Sequence, residues 1–363
     1  MTQLTPTSLP PHSAPSIAVL FMHFGEDWLR GSEVCLLNLM AHLPKPFVPV
    51  LWCNQASLAQ AAQERGINAC YTSANMGLNW RNLQQAKQVF AQHQIMLIHA
   101  NSAAPVKLAS VIARQAKLPL LCHLHSRYPW YQRWGFGLPL CSAVVGVSQA
   151  VLGQLQYDGF RDTQLSCIPN GIDCAALLDA APDSPCLKQQ LGLPEQAFLM
   201  VSVGSLIPRK GMDNLLHACA RLHLQGIPAH LAIIGSGPEQ DNLTQLTHQL
   251  NLENHVHFLG EQAKVVALIN QGADVFVSGA REEVFGLVLA EAGLAQLAVI
   301  APDVGGIAEV IEHQVNGLLY PDGDQQTLNS ALRRCYFSPK LRWHLGQQGH
   351  QKAHTQFAIE QHC

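Results

Sequence analysis

Acidic residues are missing from a long stretch in the first half of this 363-residue chain. No Asp or Glu occurs between Arg65 and Tyr157, although the whole chain has a net charge of −3. The stretch holds eight basic residues: Arg65, Arg81, Lys87, Lys107, Arg114, Lys117, Arg127 and Arg133. The rest of the chain therefore carries a net charge of −11. This asymmetry predicts an electropositive face on the first half. The negative total argues against duplex nucleic acid as a partner.

The paired cysteines that mark disulfide frameworks and zinc sites are also missing. Eleven cysteines are scattered along the chain, an odd number, and none has C-x-x-C spacing. Residues 1–15 lack the basic and apolar regions of a signal peptide, and their composition predicts a disordered leader. We therefore expect a reducing, cytoplasmic location. The uncharged run 135–157 contains Pro139 and several glycines and glutamines, which favours a buried strand over a membrane span.

Apolar residues are abundant, at 48% against 13% charged, which indicates a compact α/β protein of two domains. Short apolar runs alternate with helical stretches, as in parallel β-α-β units. The predicted strands are Ile17–Met22, Phe47–Trp52, Ile95–His99, Leu118–His123, Ala143–Val147, Phe198–Val203, Ala229–Gly235, Val256–Gly260, Ala273–Ser278 and Leu297–Ala301. Turn-forming residues separate the two series of strands.

We therefore predict four segments. They are the leader at 1–15, a Rossmann-like domain at 16–180, a second Rossmann-like domain at 181–345, and a C-terminal segment at 346–363. The two doubly wound sheets are expected to face each other across a cleft. Ligands of such sheets bind outside the carboxyl ends of the strands.

Glu283 and Glu291 flank a Phe-Gly step in the second half. Gly286 allows backbone to approach a ligand closely, and the helical pattern that starts near Leu287 predicts free N–H groups for an anion. Glu291, one turn further, can reach hydroxyls beside that anion. A phosphate flanked by two hydroxyl-binding carboxylates describes a nucleotide-sugar. The alternative is that both glutamates are solvated surface charges.

Three further features are candidates for the same site. Gly204 allows a tight exit from a strand, and the adjacent Arg209 and Lys210 suit a diphosphate, although they could be ordinary surface charges. Gly31 and Ser32 could donate N–H groups to a phosphate, or Ser32 could cap the helix that starts there. His125 follows a strand and would point into the cleft, or it could be a structural histidine. No cluster of further ligands supports zinc binding there.

Together these motifs resemble the retaining glycosyltransferases of family 4, a large GT-B group. The resemblance covers nearly all of residues 17–360 and rests on Gly204–Gly211, Glu283–Glu291, Val304–Ile311, Ile168–Asp173, Gly235–Pro238, Asn316–Gly317 and Pro321–Asp324. Three places depart from the family pattern. Arg30-Gly31 replaces a Gly-Gly pair, Leu294–Ala298 replaces Cys-Gly-x-Pro, and residues 346–363 are expected to form a shortened cross-over helix.

The resemblance implies a role for each site residue. Arg209 and Lys210 would neutralise the leaving diphosphate, and Glu283 and His125 would contact the sugar from opposite walls. It implies retention of the anomeric configuration without metal or cofactor. The expected catalytic residues are His125, Arg209, Lys210 and Glu283. The expected nucleotide-sugar-binding residues are Gly31, Ser32, Gly204, Arg209, Lys210, Gly286, Leu287, Val288 and Glu291.

The acceptor is expected at Ser126–Phe136, which interleaves two arginines with five aromatic residues. Such a loop suits a glycan, or a lipid-linked acceptor at the inner face of an anionic membrane; the alternative is an ordinary packed loop. We expect Arg127→Ser and Arg133→Ser to weaken binding to anionic vesicles. The leading functional hypothesis is a glycosyltransferase that uses a UDP- or GDP-sugar in cell-surface glycan or glycolipid synthesis. A nucleotide-sugar epimerase and a non-catalytic nucleotide-sugar-binding subunit are the alternatives.

Overall fold

Two parallel β-sheets organise the protein. A computed structural model describes residues 16–73, 77–179 and 186–362. The first sheet contains β1 (Ile17–His23), β2 (Phe47–Cys53), β3 (Asn68–Tyr71), β4 (Ile95–Ala100), β5 (Leu120–Leu124), β6 (Ala143–Gly146) and β7 (Leu165–Cys167). The second contains β8 (Phe198–Val203), β9 (Ala229–Ile234), β10 (Val256–Phe258), β11 (Val275–Val277), β12 (Ala298–Pro302) and β13 (Gly317–Tyr320). The predicted leader and the predicted boundary between residues 180 and 181 lie outside the described residues.

Helices connect the strands and cover both sheets. In chain order they are α1 (Gly31–His42), α2 (Ala56–Glu64), α3 (Trp80–His93), α4 (Val106–Ala116), α5 (Trp130–Phe136), α6 (Gln149–Tyr157), α7 (Cys174–Leu178), α8 (Leu187–Gln190), α9 (Met212–Leu224), α10 (Gln240–Gln249), α11 (Val265–Asn270), α12 (Leu287–Leu294), α13 (Ile307–Val310), α14 (Gln325–Phe337) and α15 (Pro339–Gln356). Among the described residues, no helix is long and apolar enough to cross a bilayer.

The strand order places one topological switch point in each sheet. The order is β3-β2-β1-β4-β5-β6-β7 in the first sheet and β10-β9-β8-β11-β12-β13 in the second. Connections run one way from β1 and the other way from β4, and the same reversal separates β8 from β11. Because loops diverge at such a point, a crevice opens at the carboxyl ends of the neighbouring strands. This topology confirms the predicted pair of doubly wound sheets.

The central strands form because their apolar runs are buried on both faces. Five consecutive residues of β1, from Ala18 to Met22, are at most 8% exposed, and the strands on either side are parallel to it. Strands covered on both faces read as continuous apolar runs rather than as alternating patterns. For this reason all ten predicted strands overlap observed ones.

The end of the described chain returns from the second sheet to the first. Helix α15 packs on α12 through Gly293 and Gly349, where a Cβ on Gly293 would lie 3.1 Å from the Gly349 carbonyl oxygen. After α15, the backbone of residues 357–359 brackets Ile172. The Ile172 N–H donates to the Phe357 carbonyl at 2.7 Å, and its carbonyl accepts from Ile359 at 2.9 Å. These contacts hold the two sheets in their mutual orientation.

Candidate active site

Two helix N-termini meet at the crevice. Helix α12 begins at Leu287, as predicted, after Gly286 in a left-handed conformation with φ 93°. Helix α1 begins at Gly31, and a Cβ placed on Gly31 would lie 3.3 Å from the Leu287 side chain. The N–H groups of Gly286, Leu287 and Val288 have no acceptor among the described residues, and neither do those of Gly31 and Ser32. Free N–H groups at two converging helix ends attract an anion.

The loop after β8 brings cations to the same edge. Pro208–Lys210 forms a single 3₁₀ turn that ends at Gly211, and the Lys210 Nζ lies 2.5 Å from Glu283 Oε2. The Arg209 side chain is exposed, while its carbonyl accepts the backbone N–H of Arg281 at 2.9 Å. The structure therefore joins one of the predicted phosphate-binding cations, Lys210, to the predicted sugar-binding carboxylate, Glu283.

Glycines allow these loops to stack backbone on backbone. A Cβ on Gly211 would lie 1.8 Å from the Gly279 carbonyl oxygen, and one on Gly305 would lie 1.8 Å from the Glu283 carbonyl oxygen. The next residue, Gly306, donates its N–H to that same Glu283 carbonyl at 3.1 Å. No other residue type fits such approaches, so this packing explains why the motifs carry glycine.

An ion pair that the sequence analysis missed ties two of these loops together. The Arg281 guanidinium binds both carboxylate oxygens of Asp213, at 2.9 and 2.6 Å, and also the Pro208 carbonyl at 2.8 Å. The pair is about 40% exposed, so its contribution to stability is about 1 kcal/mol or less. Its bidentate geometry orients the Arg209–Lys210 turn against the Glu283 loop.

Glu291 lies one turn into α12 and is half-buried. Burial raises the pKa of its carboxyl to about 7. The Glu291 charge in turn helps raise the pKa of Cys35 on α1, although burial of that thiol is the larger cause. Glu291 therefore belongs to the second sheet's side of the crevice but faces the first. A carboxyl in this environment can accept hydroxyl hydrogen bonds.

Four side chains form one hydrogen-bonded line on the opposite wall. His125 Nε2 lies 3.1 Å from Asn101 Oδ1, and Asn101 Nδ2 lies 3.1 Å from His23 Nδ1. His23 Nε2 lies 2.8 Å from Glu33 Oε1. The first three residues follow or end β5, β4 and β1, which are neighbours in the sheet. His23, Asn101 and Glu33 were not predicted, although His23 and Asn101 lie at strand ends as His125 does.

Glu33 organises the start of α1. Its Oε2 accepts hydrogen bonds from the Arg30 N–H at 3.0 Å and from the Ser32 hydroxyl at 2.9 Å. Burial acts to raise the pKa of Glu33, but its contact with His23, with smaller effects of the backbone and the Ser32 hydroxyl, lowers the pKa to about 2. Helix α1 starts at Gly31, so Arg30 and not Ser32 is its N-cap residue. The Arg30 guanidinium lies 3.2 Å from the centre of the Trp28 ring.

Two imidazoles of this wall, those of His123 and His125, have lowered pKa values. Burial lowers the pKa of His125 well below its ordinary value, and repulsion from the neighbouring imidazoles adds to the effect. Burial likewise lowers the pKa of His123 to about 4. The residues described here contain no group of three or more His, Cys, Asp or Glu arranged to hold a metal ion.

The aromatic loop corrects one prediction. Arg133 is 7% exposed, forms an ion pair with Asp158, and donates to the Tyr128 carbonyl and to Gln154. It therefore packs beneath the loop rather than facing a membrane or acceptor. Burying a paired arginine orders the loop, since either partner alone would be an uncompensated buried charge. The exposed arginine and aromatic residues of the loop are Arg127, Trp130, Tyr131 and Trp134.

Comparison with protein families decides the classification. Residues 183–352 match the family described as "Glycosyl transferases group 1", and residues 29–176 match "Glycosyltransferase Family 4". The chain belongs to the family 4, group 1 glycosyltransferases. Its fold is GT-B. All of the site residues described above lie within these matched regions except His23 and Trp28.

Individual relatives agree with this classification. The crystal structure of Anabaena HepE in complex with UDP superposes with a TM-score of 0.84 at 25% identity, covering 95% of this chain and 98% of that one. A Mycobacterium tuberculosis GDP-mannose-dependent phosphatidylinositol monomannoside mannosyltransferase is 27% identical over 85% of this chain and 88% of its own length. The Rhizobium meliloti lipopolysaccharide core glycosyltransferase LpsD is 32% identical over 49% of this chain, and the match spans about half of that relative's length.

Proposed function

We propose that the protein transfers a sugar from a nucleoside diphosphate sugar to a hydroxyl acceptor, with retention of configuration and without a metal ion. Its family membership supports sugar transfer. The observation that carries the proposal is the convergence of two helix N-termini, with their free N–H groups, beside Arg209 and Lys210. Such a concentration of donors and positive charge suits a diphosphate.

In this mechanism the bond between the sugar's anomeric carbon and the β-phosphate oxygen breaks as the acceptor oxygen attacks from the same face. The acceptor's proton passes to the departing phosphate oxygen. Negative charge grows on the diphosphate, where Lys210, Arg209 and the α12 N–H groups would stabilise it. Donors already oriented toward a developing charge reduce the barrier by about 3–4 kcal/mol each.

Carboxylates on the same wall would hold the two ends of the donor. Glu291 would accept hydrogen bonds from the ribose hydroxyls, and Glu283 from the sugar hydroxyls, once its contact with Lys210 rearranges. The UDP of the HepE structure and the GDP-mannose named for the mycobacterial relative support a UDP- or GDP-sugar as donor. Lipopolysaccharide and glycolipid relatives support a role in envelope glycan synthesis.

Thermal shift with a panel of UDP-, GDP- and ADP-sugars tests the donor site. We expect one base to raise the melting temperature selectively, because ligands that bind the folded state alone stabilise it. Glu291→Ala should abolish this shift. No shift with any donor would contradict the proposal. Product analysis separates the remaining classes: sugar transfer or hydrolysis for a transferase, an isomeric donor for an epimerase, and an unchanged donor for a binding subunit.

The acceptor side of the proposal uses the exposed aromatic residues, Trp130 and Trp134, with Arg127 beside them. These side chains are 68% and 57% exposed, and the acid-free stretch around them favours an anionic lipid or lipid-linked acceptor. Trp130→Ala with Trp134→Ala should weaken binding to vesicles of phosphatidylcholine with phosphatidylglycerol. The matched control is Trp343→Ala, whose side chain is 65% exposed in the second half. If the variant lacking Trp130 and Trp134 binds vesicles as well as the Trp343→Ala control, the membrane contact is refuted.

A further inference from the structure

The hydrogen-bonded line from Glu33 to His125 has a direction set by its chemistry. Glu33 is an anion that only accepts, so the His23 Nε2 that faces it carries a proton. Asn101 presents its amide nitrogen, which only donates, to His23 Nδ1. His23 Nδ1 is therefore the acceptor in this contact. Each hydrogen bond in the line determines the next.

The same logic reaches His125. The carbonyl oxygen of Asn101 can only accept, so the His125 Nε2 at 3.1 Å carries the proton. With a pKa well below its ordinary value, His125 is neutral, and its other ring nitrogen is a bare acceptor. That Nδ1 is buried and has no hydrogen-bond partner among the described residues. An unpaired buried acceptor beside the crevice matches a ligand hydroxyl.

We propose that Asn101 is a positioning residue that locks His125 in the Nε2–H form, so that Nδ1 is presented to a hydroxyl of the donor sugar. This rests on the proposed function. Asn101 is 1% exposed, and its own N–H donates to the Met22 carbonyl at 2.9 Å, so β1 and β4 hold it in register between the two histidines. Its amide lies between His125 and His23, and His23 in turn contacts the Glu33 anion.

The line also joins two functions of the crevice. Glu33 holds the Arg30 N–H and the Ser32 hydroxyl through one oxygen and His23 through the other. A single buried carboxylate thus orients the start of α1, beside the proposed phosphate site, and the histidine beside the sugar. Removing Asn101 should disturb the sugar contact alone. Removing the Glu33 charge should disturb both ends.

The experiment first reads the proton on His125 directly. In ¹⁵N-labelled protein without ligand, two-bond ¹⁵N–¹H correlations distinguish Nε2–H from Nδ1–H, and the signals of His125 are those absent from His125→Gln. We expect one Nε2–H form in the native protein and a mixture in Asn101→Ala. A native Nδ1–H form, or an unchanged form in the variant, would overturn the proposal. Neither reading depends on donor binding.

Calorimetry then measures the sugar contribution with two probe pairs, UDP with UDP-glucose and GDP with GDP-mannose. Asn101→Ala should weaken binding of the matching sugar nucleotide about tenfold and leave the bare nucleotide within about twofold. Glu33→Gln should weaken both. Equal losses for the two ligands of a pair in Asn101→Ala would show a structural role only and refute the positioning role.

A buried asparagine outside the site controls for lost stability. Asn329 on α14 is 4% exposed and donates to the Ala218 carbonyl at 3.4 Å. Asn329→Ala should lower the melting temperature, as Asn101→Ala does, while the ratio of sugar-nucleotide to nucleotide affinity stays at the native value. If the native protein binds neither pair, the proposed donor fails, and the proton on His125 still decides the role of Asn101.

Discussion

The two walls of the crevice bind by different means. The wall from the first sheet consists of imidazoles and an amide, with the Glu33 carboxylate buried behind them. The wall from the second sheet carries Arg209, Lys210, Glu283 and Glu291 on loops packed backbone on backbone. One wall is built from directed hydrogen bonds and the other from charge.

This difference teaches how one crevice can hold a ligand with unlike ends. A sugar has hydroxyls that need oriented donors and acceptors but no charge, whereas a diphosphate needs cations and N–H groups. Imidazoles with strongly lowered pKa values, such as those of His123 and His125, also keep one protonation state near neutral pH. The walls should therefore respond differently to charge removal, to packing defects and to pH, and four experiments separate them.

The largest effect should follow from removing charge on the second wall. Lys210→Ala should lower the turnover of the donor about 10²–10³-fold, since a cation oriented toward the leaving group is lost. The measurement is release of nucleoside diphosphate under saturating donor. Lys264→Ala is the control, because Lys264 forms an exposed pair with Asp179 at 3.2 Å. A loss of turnover of less than threefold in Lys210→Ala would show that this wall does not act through charge.

Disturbing the packing of the second wall should have the next largest effect. Gly305→Ala places a Cβ 1.8 Å from the Glu283 carbonyl oxygen and should lower the free energy of unfolding by about 3 kcal/mol. Gly323 has a similar φ, 72° against 58°, but a Cβ added there would meet nothing within 4 Å, so Gly323→Ala should cost about 1 kcal/mol. Urea unfolding measures both values. Equal losses would show that backbone conformation alone matters.

The pH dependence of donor binding should come from the second wall. Because burial raises the pKa of Glu291 to about 7, its carboxyl is mostly protonated at pH 6 and mostly ionised at pH 8. The ionised form accepts ribose hydroxyls better, so UDP-glucose should bind roughly tenfold more weakly at pH 6. Titration calorimetry measures this change.

The first wall provides the contrast in that experiment. His123 and His125 have lowered pKa values and Glu33 has a pKa of about 2, so these three groups do not titrate between pH 6 and 8. Glu291→Gln should therefore flatten the pH profile. A slope that survives in this variant would assign the titration to another group.

The smallest effect should arise where the walls touch. Glu309 of α13 accepts the N–H groups of Gln149 and Ala150 at the start of α6, at 2.9 and 3.1 Å. Glu309→Gln replaces the anion at this helix N-terminus by a neutral amide, which should lower the free energy of unfolding by about 0.5–1 kcal/mol. Small-angle scattering should show a larger radius of gyration. Glu195→Gln, an exposed site, should change neither quantity.

Much of the fold could be predicted because the central strands are continuous apolar runs. Strand β8 was predicted with both its ends, and the start of α12 was predicted from the residue pattern after Gly286. Three strands were missed: β3, β7 and β13, which all lie at sheet edges. These strands are only three or four residues long, so they lack the long apolar run that marks a buried central strand.

The site divides in the same way. Arg209, Lys210, Glu283 and Glu291 could be found because glycines and charges recur at short spacing in the chain. Asn101 and His23 could not, because they are 78 residues apart and meet through the pairing of β1 with β4. Arg133 was misassigned because its partner Asp158 lies 25 residues away.

By itself, the sequence determined the α/β class, the central strands and the glycine-rich, charged loops, because each depends on residues close together in the chain. The tertiary structure alone decided which groups touch: Lys210 with Glu283, Arg133 with Asp158, and Asn101 between two histidines. Proton positions and pKa values follow from those contacts and from burial, which local sequence does not specify.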